Sequence, residues 1–390
     1  AAARDALLSL LGSGPGLVPA WEACDRFGLV GVWLPEWIRV RSLPQHNPVH
    51  LYTVDRHLVQ TAAKAAGYAR EVDRPDLLVL GALLHDIGKG LVGDHCHAGA
   101  PVAAAIATRI GLPPAEAATI ETVVRLHLLL PDTATRRDIA DPVTVTAVAR
   151  AVRDVSTLDL LYGLARADAE ATGPGAWSAW KGRLVAELVD RVRRTLDTGT
   201  VPPAPVPDAA VRNGVHVEGD LVTVAATDRR GLLAAVAGCL ALHRLDVVTA
   251  DVSTVDGRAL VRCAVQPRYG MPPDGAVLGA DLRRAARGEL PGLARLAARA
   301  ADRTARVVWH RNAATDAVVL EVRAADAPGL LYRVASALEG AGAEVRAARI
   351  STLGGAAVDA FYLVGAWADA GARRAVESAV LAACAVPFPE

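Results

Sequence analysis

The stretch from Leu77 to Gly90 constrains the fold of this chain most, because an apolar run from Leu77 to Leu84 ends in two adjacent polar residues, His85 and Asp86. The run is too short to cross a membrane, so it predicts a buried helix. An imidazole and a carboxylate at the end of such a helix need partners, since desolvating a lone carboxylate is costly or forces it to take up a proton. A divalent metal ion satisfies both groups, although a single His-Asp pair is weak evidence for one.

The composition indicates a folded chain without a nucleic-acid or membrane signature. Hydrophobic residues make up 52% of the 390 residues, and the formal net charge is zero. A balanced charge gives no basic footprint for nucleic acid, and five scattered cysteines without CxxC spacing predict a reducing cytoplasm. The first residue is alanine and the one methionine is Met271. We therefore expect the C-terminal part of a longer protein, or a trimmed product.

Acid and imidazole groups recur on the apolar faces of the helices that the spacing predicts between residues 50 and 200. For one of them alone, such as His57, a satisfied core histidine is the better interpretation. Several of them together fit a metal centre built from facing helices. Nitrogen and oxygen ligands without a thiolate indicate magnesium, manganese, iron or zinc. The inward-facing groups are His57, His85, Asp86, His127 and Asp168.

The helices of this region are predicted from periodicity and end signals. A helix that follows a cap at Ser156 carries Asp168 on its leucine face, where an aspartate is costly unless it is paired or bound to a metal. The other predicted helices are Val49–Arg70, Pro101–Ile110, Pro114–Leu129 and Trp177–Leu196.

Lysine is rare in this chain, which contains only Lys64, Lys89 and Lys181. A lysine retained close to His85 and Asp86 is a candidate for chemistry. The alternative is that Lys89 is one of three chance survivors, and the sequence leaves both interpretations open.

The last 180 residues repeat internally, after a Pro-rich segment, Thr198–Asp208, that predicts a stiff linker. The sequence Asp228 to Leu233, D-x-x-G-L-L, recurs as Asp326 to Leu331 at an offset of 98 residues. A register held at one offset indicates duplication. The pattern predicts two ferredoxin-like βαββαβ units, each an α+β fold.

The elements of the two units follow from alternating and helical apolar patterns. For the first unit we predict Leu221–Ala226, Gly231–His243, Val247–Thr254, Ala259–Val265 and Gly279–Arg287, completed by a strand at Arg306–His310. For the second we predict Ala317–Ala324, Gly329–Glu339, Val345–Thr352, Val358–Val364 and Ala370–Ala382.

A glycine stands at the predicted start of the first helix in each unit, Gly231 and Gly329. A glycine there lets the backbone approach a ligand, whose carboxylate can accept hydrogen bonds from the free N–H groups of the helix start. The preceding Asp228 and Asp326 can pair with an amino group of such a ligand. Each can instead simply cap its helix, which is the commoner role.

The helical region resembles the HD phosphohydrolase superfamily in the ordered set His57, His85-Asp86, His95 with Gly99 four residues later, His127 and Asp168. The repeated units resemble ACT domains, sensor modules of amino-acid metabolism. Together they resemble the C-terminal half of the bifunctional uridylyltransferase/uridylyl-removing enzyme family that modifies the nitrogen signalling protein PII. Local stretches that carry the resemblance are HLYTVDRH (50–57), LLHDIGKGLVGDH (83–95), RLHLLL (125–130), RRDIADP (136–142) and AWSAWK (176–181).

The resemblance implies a site and a reaction. His57, His85, Asp86 and Asp168 would hold a divalent metal, Mg2+ or Mn2+ with Fe or Zn as alternatives, and the catalytic residues would be Asp86, Lys89, His95 and His127. His95 rests on the resemblance alone. The reaction would be removal of UMP or AMP from a tyrosine of PII. Glutamine would bind the ACT units at Asp228, Gly231, Asp326 and Gly329, and ACT units also suggest a homodimer.

The resemblance also implies a division into domains. Residues 1–48 would form a helical connecting segment, 49–197 the all-α HD domain, 198–212 the linker, and 213–312 and 313–390 the two ACT domains. The nucleotidyltransferase domain of the family, with its G-S-x-D-x-D motif, does not match any part of this chain, so we expect removal and sensing without transfer. Two alternatives stay open, a (p)ppGpp-type HD phosphohydrolase with ACT regulation and a non-catalytic glutamine sensor.

Overall fold

The computed structural model describes residues 2–45, 50–173, 176–177, 179–203, 214–255, 257–293, 305–310, 314–315, 317–353, 355–365, 367 and 369–384. The chain forms two compact units. The first consists of Ala1–Ala134 with Val145–Pro202, and the second consists of Thr135–Thr144 with Pro203–Glu390. Most of the predicted linker 198–212, namely residues 204–212, lies outside the described residues.

The first unit is helical and is built around one fully buried helix. Every residue of this helix, α5, from Leu77 to Leu84 is buried, as expected for a helix that is apolar on all sides. It packs against the helices Val54–Ala65, Pro114–Leu126 and Val155–Thr172. The helices up to α11 are α1 (Ala2–Leu11), α2 (Leu17–Arg26), α3 (Leu29–Trp33), α4 (Val54–Ala65), α5 (Pro75–Leu84), α6 (His95–Arg109), α7 (Pro114–Leu126), α8 (Leu129–Arg136), α9 (Pro142–Val152), α10 (Val155–Thr172) and α11 (Ala179–Thr198).

Several helix boundaries differ from the prediction. The predicted helices Pro114–Leu129 and Trp177–Leu196 are α7 (Pro114–Leu126) and α11 (Ala179–Thr198). Helix α6 begins at His95 rather than at Pro101, because the Asp94 carboxylate accepts hydrogen bonds from the N–H groups of the next turn. Helix α10 is capped by Asp154, which accepts from the N–H of Thr157, and not by Ser156. The predicted helix Val49–Arg70 is shorter, since it changes to a 3-10 helix at Ala66.

The second unit carries one antiparallel sheet of eight strands, β1 (Gly214–Glu218), β2 (Leu221–Thr227), β3 (Leu245–Val255), β4 (Arg258–Pro267), β5 (Arg306–His310), β6 (Val318–Ala325), β7 (Glu344–Leu353) and β8 (Ala356–Val364). Their order in the sheet is β1-β2-β4-β3-β7-β8-β6-β5. The helices of this unit are α12 (Leu232–Leu242), α13 (Gly275–Arg287), α14 (Leu330–Gly340) and α15 (Ala370–Cys384).

Each repeat begins with a hairpin, so its order is ββαββα rather than the predicted βαββαβ. Strand β1, which was not predicted, pairs with β2. The strand Arg306–His310 pairs with β6, so the prediction that it completes the first repeat is wrong. Strand β1 is half exposed along its length, and its five residues give only a weak alternating signal.

The two repeats join through their equivalent strands β3 and β7. Asp251 lies opposite Arg349 in the register of these strands, and the two positions are 98 residues apart. The repeats are therefore related by an approximate two-fold axis at this pair. Helices α12 and α14 pack against each other, and one apolar core extends through both repeats.

None of the helices in the described part of the chain combines the length and the apolar character that spanning a membrane requires.

Candidate metal centre

Six predicted site residues from five separate segments meet in the first unit. His57 lies in α4, His85 and Asp86 directly follow α5, His95 begins α6, His127 directly follows α7, and Asp168 lies in α10. The exposed fractions of His57, His85, Asp86 and His127 are 1%, 1%, 3% and 3%. The sequence pattern thus predicted inward-facing groups, and the fold brings them together.

The first half of this cluster consists of His57, His85 and two carboxylates. The Nε2 atom of His57 lies 3.3 Å from Nε2 of His85 and 2.9 Å from Oδ1 of Asp168. The Nε2 atom of His85 lies 3.5 Å from Oδ2 of Asp86 and 3.6 Å from Oδ1 of Asp168. The two Nε2 atoms therefore lie close to the carboxylates of both Asp86 and Asp168.

The second half uses the other oxygen of the same aspartate. Oδ1 of Asp86 lies 3.3 Å from Nε2 of His95 and 3.6 Å from Nε2 of His127. Asp86 consequently links both halves of the cluster. His95, which only the family resemblance had suggested, is therefore part of the cluster.

A close approach of two glycines positions His95 beside Asp86. A Cβ atom on Gly88 would overlap the carbonyl oxygen of His95 and lie 2.6 Å from the amide nitrogen of Gly99. A Cβ atom on Gly99 would lie 2.8 Å from the amide nitrogen of Gly88. Any side chain at either position would therefore push the start of α6 away from the loop after α5.

Backbone carbonyls orient two of the imidazoles. The Nδ1–H of His85 donates to the carbonyl oxygen of Ala82 at 2.8 Å, and that of His127 donates to the carbonyl oxygen of Val124 at 2.8 Å. In the neutral rings this leaves the Nε2 lone pair pointing at the cluster, which is the arrangement found for metal-bound histidines.

The charges of the cluster stabilise one another. Burial by itself raises the pKa of Asp86, but His85, His95 and Lys89 outweigh it and hold that pKa well below its usual range. Burial likewise raises the pKa of Asp168, and His57 and His85 lower it well below normal. Burial lowers the pKa of His85, yet Asp86 and Asp168 raise it to about 10. Two ionised carboxylates in a buried site thus hold positive charge on their neighbours.

His127 differs from the other imidazoles in charge. Burial, followed by repulsion from His85, lowers the pKa of His127 to about 4. His127 is consequently neutral at neutral pH and offers a lone pair.

Three residues beside the cluster, Gln45, His50 and Cys96, were not singled out from the sequence as site residues. Gln45 lies next to the predicted residue Lys89, whose Nζ donates to Oε1 of Gln45 at 2.6 Å and lies 2.5 Å from Oδ2 of Asp86. The ring of His50 lies 5.6 Å from that of His57. Cys96 follows His95. Of these three, only His50 could have been found from the sequence, because it stands seven residues before His57 in one of the stretches that carry the resemblance.

The donor set fits a divalent metal ion better in the first half than in the second. His57, His85 and Asp86 offer donor atoms within 4.8 Å of one another, and so do His95, Cys96 and His127. Nδ1 of His57 is buried without a hydrogen-bond partner among the described residues, so the ring is held by its Nε2 contacts. Burial raises the pKa of the Cys96 thiol to about 12, and a protonated thiol is a poor ligand.

Comparison with known proteins agrees with the resemblance of the helical region to HD domains. Residues 54–169 match the HD domain family. The chain is 46% identical to the bifunctional uridylyltransferase/uridylyl-removing enzyme of Streptomyces coelicolor, over 93% of this chain and 52% of that enzyme. It is 43% identical to the enzyme of the same name from Mycobacterium tuberculosis, over 97% of this chain and 51% of that enzyme. The chain is a homologue of these enzymes.

The chain spans about half the length of the curated relatives it matches. Its HD domain and its span fit the C-terminal part of a bifunctional uridylyltransferase/uridylyl-removing enzyme. The HD domain of this chain and the name uridylyl-removing enzyme of its relatives together support a hydrolase. HD domains are metal-dependent, in agreement with the His/Asp cluster.

The four predicted effector residues lie at two equivalent clefts of the second unit. Cleft one is a cavity of about 280 Å3 lined by Asp228, Gly231, Val261 and Glu339 among others. Cleft two is a cavity of about 30 Å3 whose lining includes Asp326, Gly329, Tyr332 and Asp359.

Glycines, and not the aspartates, cap the helices at the two clefts. Gly231 and Gly329 are the N-cap residues of α12 and α14, with φ of 77° and 71°, a left-handed conformation that favours glycine. Asp228 accepts a hydrogen bond from Oγ1 of Thr254 at 2.9 Å. Neither helix, within the described residues, has a side-chain cap. The N–H of Leu232 donates to the carbonyl oxygen of Arg229 and that of Leu330 to the carbonyl oxygen of Ala327, so a ligand would use the N–H groups that follow them in the first turn.

Proposed function

We propose that this chain hydrolyses a nucleotidyl group, UMP or AMP, from a tyrosine of the PII signalling protein. The observation that carries the proposal is the cluster formed by the buried His57, His85 and Asp86 with Asp168, whose side chain is 22% exposed. The names of the homologous enzymes, which include uridylyl removal, support the choice of group. The chemistry is phosphodiester hydrolysis, in which the attacking water and the developing phosphoryl charge both need stabilisation.

His57, His85, Asp86 and Asp168 would hold the metal, as Mg2+ or Mn2+ or, given two imidazoles, Fe or Zn. When bound, a divalent ion supplies a Lewis acid that lowers the pKa of water and neutralises phosphoryl charge. The two carboxylates keep the site negative enough to attract the cation. The carbonyls of Ala82 and Val124 hold His85 and His127 in the productive tautomer.

Lys89, His95 and His127 would act on the substrate. The ammonium of Lys89, beside Asp86, is placed to stabilise an oxygen of the phosphodiester. His127 is neutral at neutral pH, so it would accept a hydrogen bond or ligate rather than donate a proton. His95 is the better donor to the leaving tyrosinate because its side chain is 30% exposed and open to substrate.

Glutamine binding to the second unit would control the reaction. Its two repeats carry clefts whose walls combine free helix N–H groups, which suit the carboxylate of an amino acid, with acidic side chains, which suit its amino group. A coupling free energy of about 1–3 kcal/mol between the two sites is enough for bound glutamine to change the properties of the hydrolytic centre. We further propose that the protein works in the cytoplasm and can form a homodimer through the ACT units.

The test is release of nucleotide from modified PII, with Mn2+ or Mg2+ and with or without glutamine. Metal-dependent release that glutamine stimulates is the expected result, and the recovered nucleotide distinguishes UMP from AMP. The matched control is His216→Ala, which removes an exposed histidine of β1, against His57→Ala. Metal binding without release from any nucleotidylated PII would reject the hydrolase and favour a sensor without catalysis. Release of pyrophosphate from (p)ppGpp instead would reject PII as the substrate.

A further inference from the structure

A buried carboxylate stands on the core-facing side of strand β8. Ala357, Phe361 and Leu363 alternate along this strand into the apolar core, and Asp359 occupies the same face with an exposed fraction of 2%. An aspartate among such neighbours is costly unless it has a partner. Its presence calls for a role other than packing.

The equivalent residue of the first repeat shows that folding does not need this aspartate. The position 98 residues earlier is Val261, which is buried in the core and lines cleft one. Asp359 lines cleft two. The same place in two copies of one fold is thus apolar in one cleft and acidic in the other.

One oxygen of the Asp359 carboxylate lacks a partner. Its Oδ1 atom is buried without a hydrogen bond from any residue that the structure describes. Burial raises the pKa of Asp359 to about 7 despite a hydrogen bond from the backbone of Ser351, and the neighbouring Asp326 contributes to the rise. Two carboxylates at one small cavity favour a cation or a proton between them.

Cleft two has room for a small group. Its cavity of about 30 Å3 exceeds the 10–15 Å3 or so that one water needs, and an ammonium group is of similar size. The start of α14 at Gly329 lines the same cavity. The N–H of Leu330 donates to the carbonyl oxygen of Ala327, and the N–H groups that follow it in the first turn can donate to a carboxylate nearby. These walls suit the amino end of an amino acid.

We propose that cleft two binds an ammonium group through Asp359, with Asp326 as the second carboxylate, and that cleft one lacks this anchor. The group has two sources, the amino group of an amino acid or free ammonium ion. The amino-acid source rests on the proposed control by glutamine, whereas the site itself does not. In cleft one the equivalent residue is Val261, and the carboxylates of the lining, those of Asp228, Glu339 and Glu344, are half-buried or exposed. The two clefts should therefore differ in affinity for such a group.

The test is calorimetric titration of the full chain with L-glutamine, with glutaramate, which lacks the amino group, and with ammonium chloride against sodium chloride. A site for L-glutamine or for ammonium, but not for glutaramate, is expected. Asp359→Val, which installs the residue of the other repeat, and Asp359→Asn should both weaken this site by about tenfold or more. Val261→Ala, the matched change in cleft one, should leave it unchanged.

Each outcome decides the proposal. Loss of the site in both Asp359 variants, at unchanged or higher melting temperature, supports it, and the ligand that binds identifies the source. A wild-type chain that binds neither ligand, or Asp359 variants with the same number of sites and the same affinity, would overturn it. Because binding is measured directly, absence of PII hydrolysis would reject the proposed function and would not affect the test of the ammonium site.

Discussion

The Nε2 atoms of His57 and His85 lie 3.3 Å apart in the buried centre, and Oδ1 of Asp168 lies within 3.6 Å of both. At most one proton fits between the two nitrogens, so the arrangement favours a shared cation. We predict that His57→Ala lowers metal affinity by more than about 100-fold, because a direct ligand contributes more than the 10–100-fold typical of its supporting hydrogen bonds. Titration with Mn2+ measures this, and His216→Ala should bind normally. Equal affinity in both variants would remove His57 from the ligand set.

Lys89 and Asp86 form an ion pair of 2.5 Å at the edge of the centre. We predict that Lys89→Ala lowers turnover by about 100-fold, the effect of removing one charge-stabilising donor, and leaves metal content intact. Lys64→Ala is the control, since Lys64 is half exposed and pairs with Glu170. Normal hydrolysis by Lys89→Ala would show that this lysine only balances the charge of Asp86.

Gly88 and Gly99 hold two segments of the centre in backbone contact. We predict that Gly88→Ala destabilises the fold by about 1–3 kcal/mol, the usual cost of overpacking, and lowers activity further by displacing His95. Gly67→Ala is the control, because a Cβ atom there meets nothing within 4 Å. Thermal unfolding and turnover of the two variants provide the measurement. A Gly88→Ala protein as stable and active as Gly67→Ala would show that α6 can shift without consequence.

The sequence could predict those features of the site whose signal lies within one short stretch of the chain. The inward-facing His57, His127 and Asp168 follow from helical spacing, since a polar group on an apolar stripe is visible along the chain, and His85 and Asp86 follow from their place at the end of an apolar run. Their recurrence in several helices indicated a shared metal centre, but the distances between them are a property of the packed helices. His95 has no such stripe, because it begins its helix.

In the second unit, likewise, the strands could be predicted from local patterns but their pairing could not. Apolar alternation predicted most strands to within a few residues, and the offset of 98 predicted the equivalence of the two clefts. Which strand lies at each sheet edge depends on pairing between short exposed strands, so the partner of Arg306–His310 was predicted wrongly. Asp359 fell within a correctly predicted strand, yet its burial without a partner appears only when β8 is packed against the helices.

Gly231 lies against the carboxylate of Glu339 with a positive φ of 77°. We predict that Gly231→Val abolishes stimulation by glutamine and leaves basal hydrolysis within about twofold, because the new side chain both strains the backbone and fills cleft one. Gly329→Val should act in the same way at cleft two. Gly340→Ala is the control, since its surroundings are open. Unaltered stimulation in both valine variants would exclude the helix starts as effector sites.

Asp359 should contribute a fall in the free energy of unfolding between about pH 4 and pH 7, whereas the lowered pKa of His127 contributes a rise over an overlapping range. Burial raises the pKa of Asp359 from its ordinary 3.8 to about 7, so in this range the folded state holds a proton that the unfolded state has released. The linkage relation then makes the free energy of unfolding decrease as pH rises through this window, by at most a few kcal/mol. The contribution is fully present below the unfolded pKa and is lost above the folded one.

Asp359→Val removes this titration, and valine fits the equivalent position of the other repeat. The variant should therefore gain stability relative to wild type as pH rises, with the largest gain above pH 7 and little difference near pH 4. Denaturant unfolding across the window measures the effect, and Val261→Ala serves as a control with a pH-independent change. A gap between Asp359→Val and wild type that is constant with pH would mean that Asp359 is ionised throughout. In that case it would already be neutralised by a cation held in cleft two.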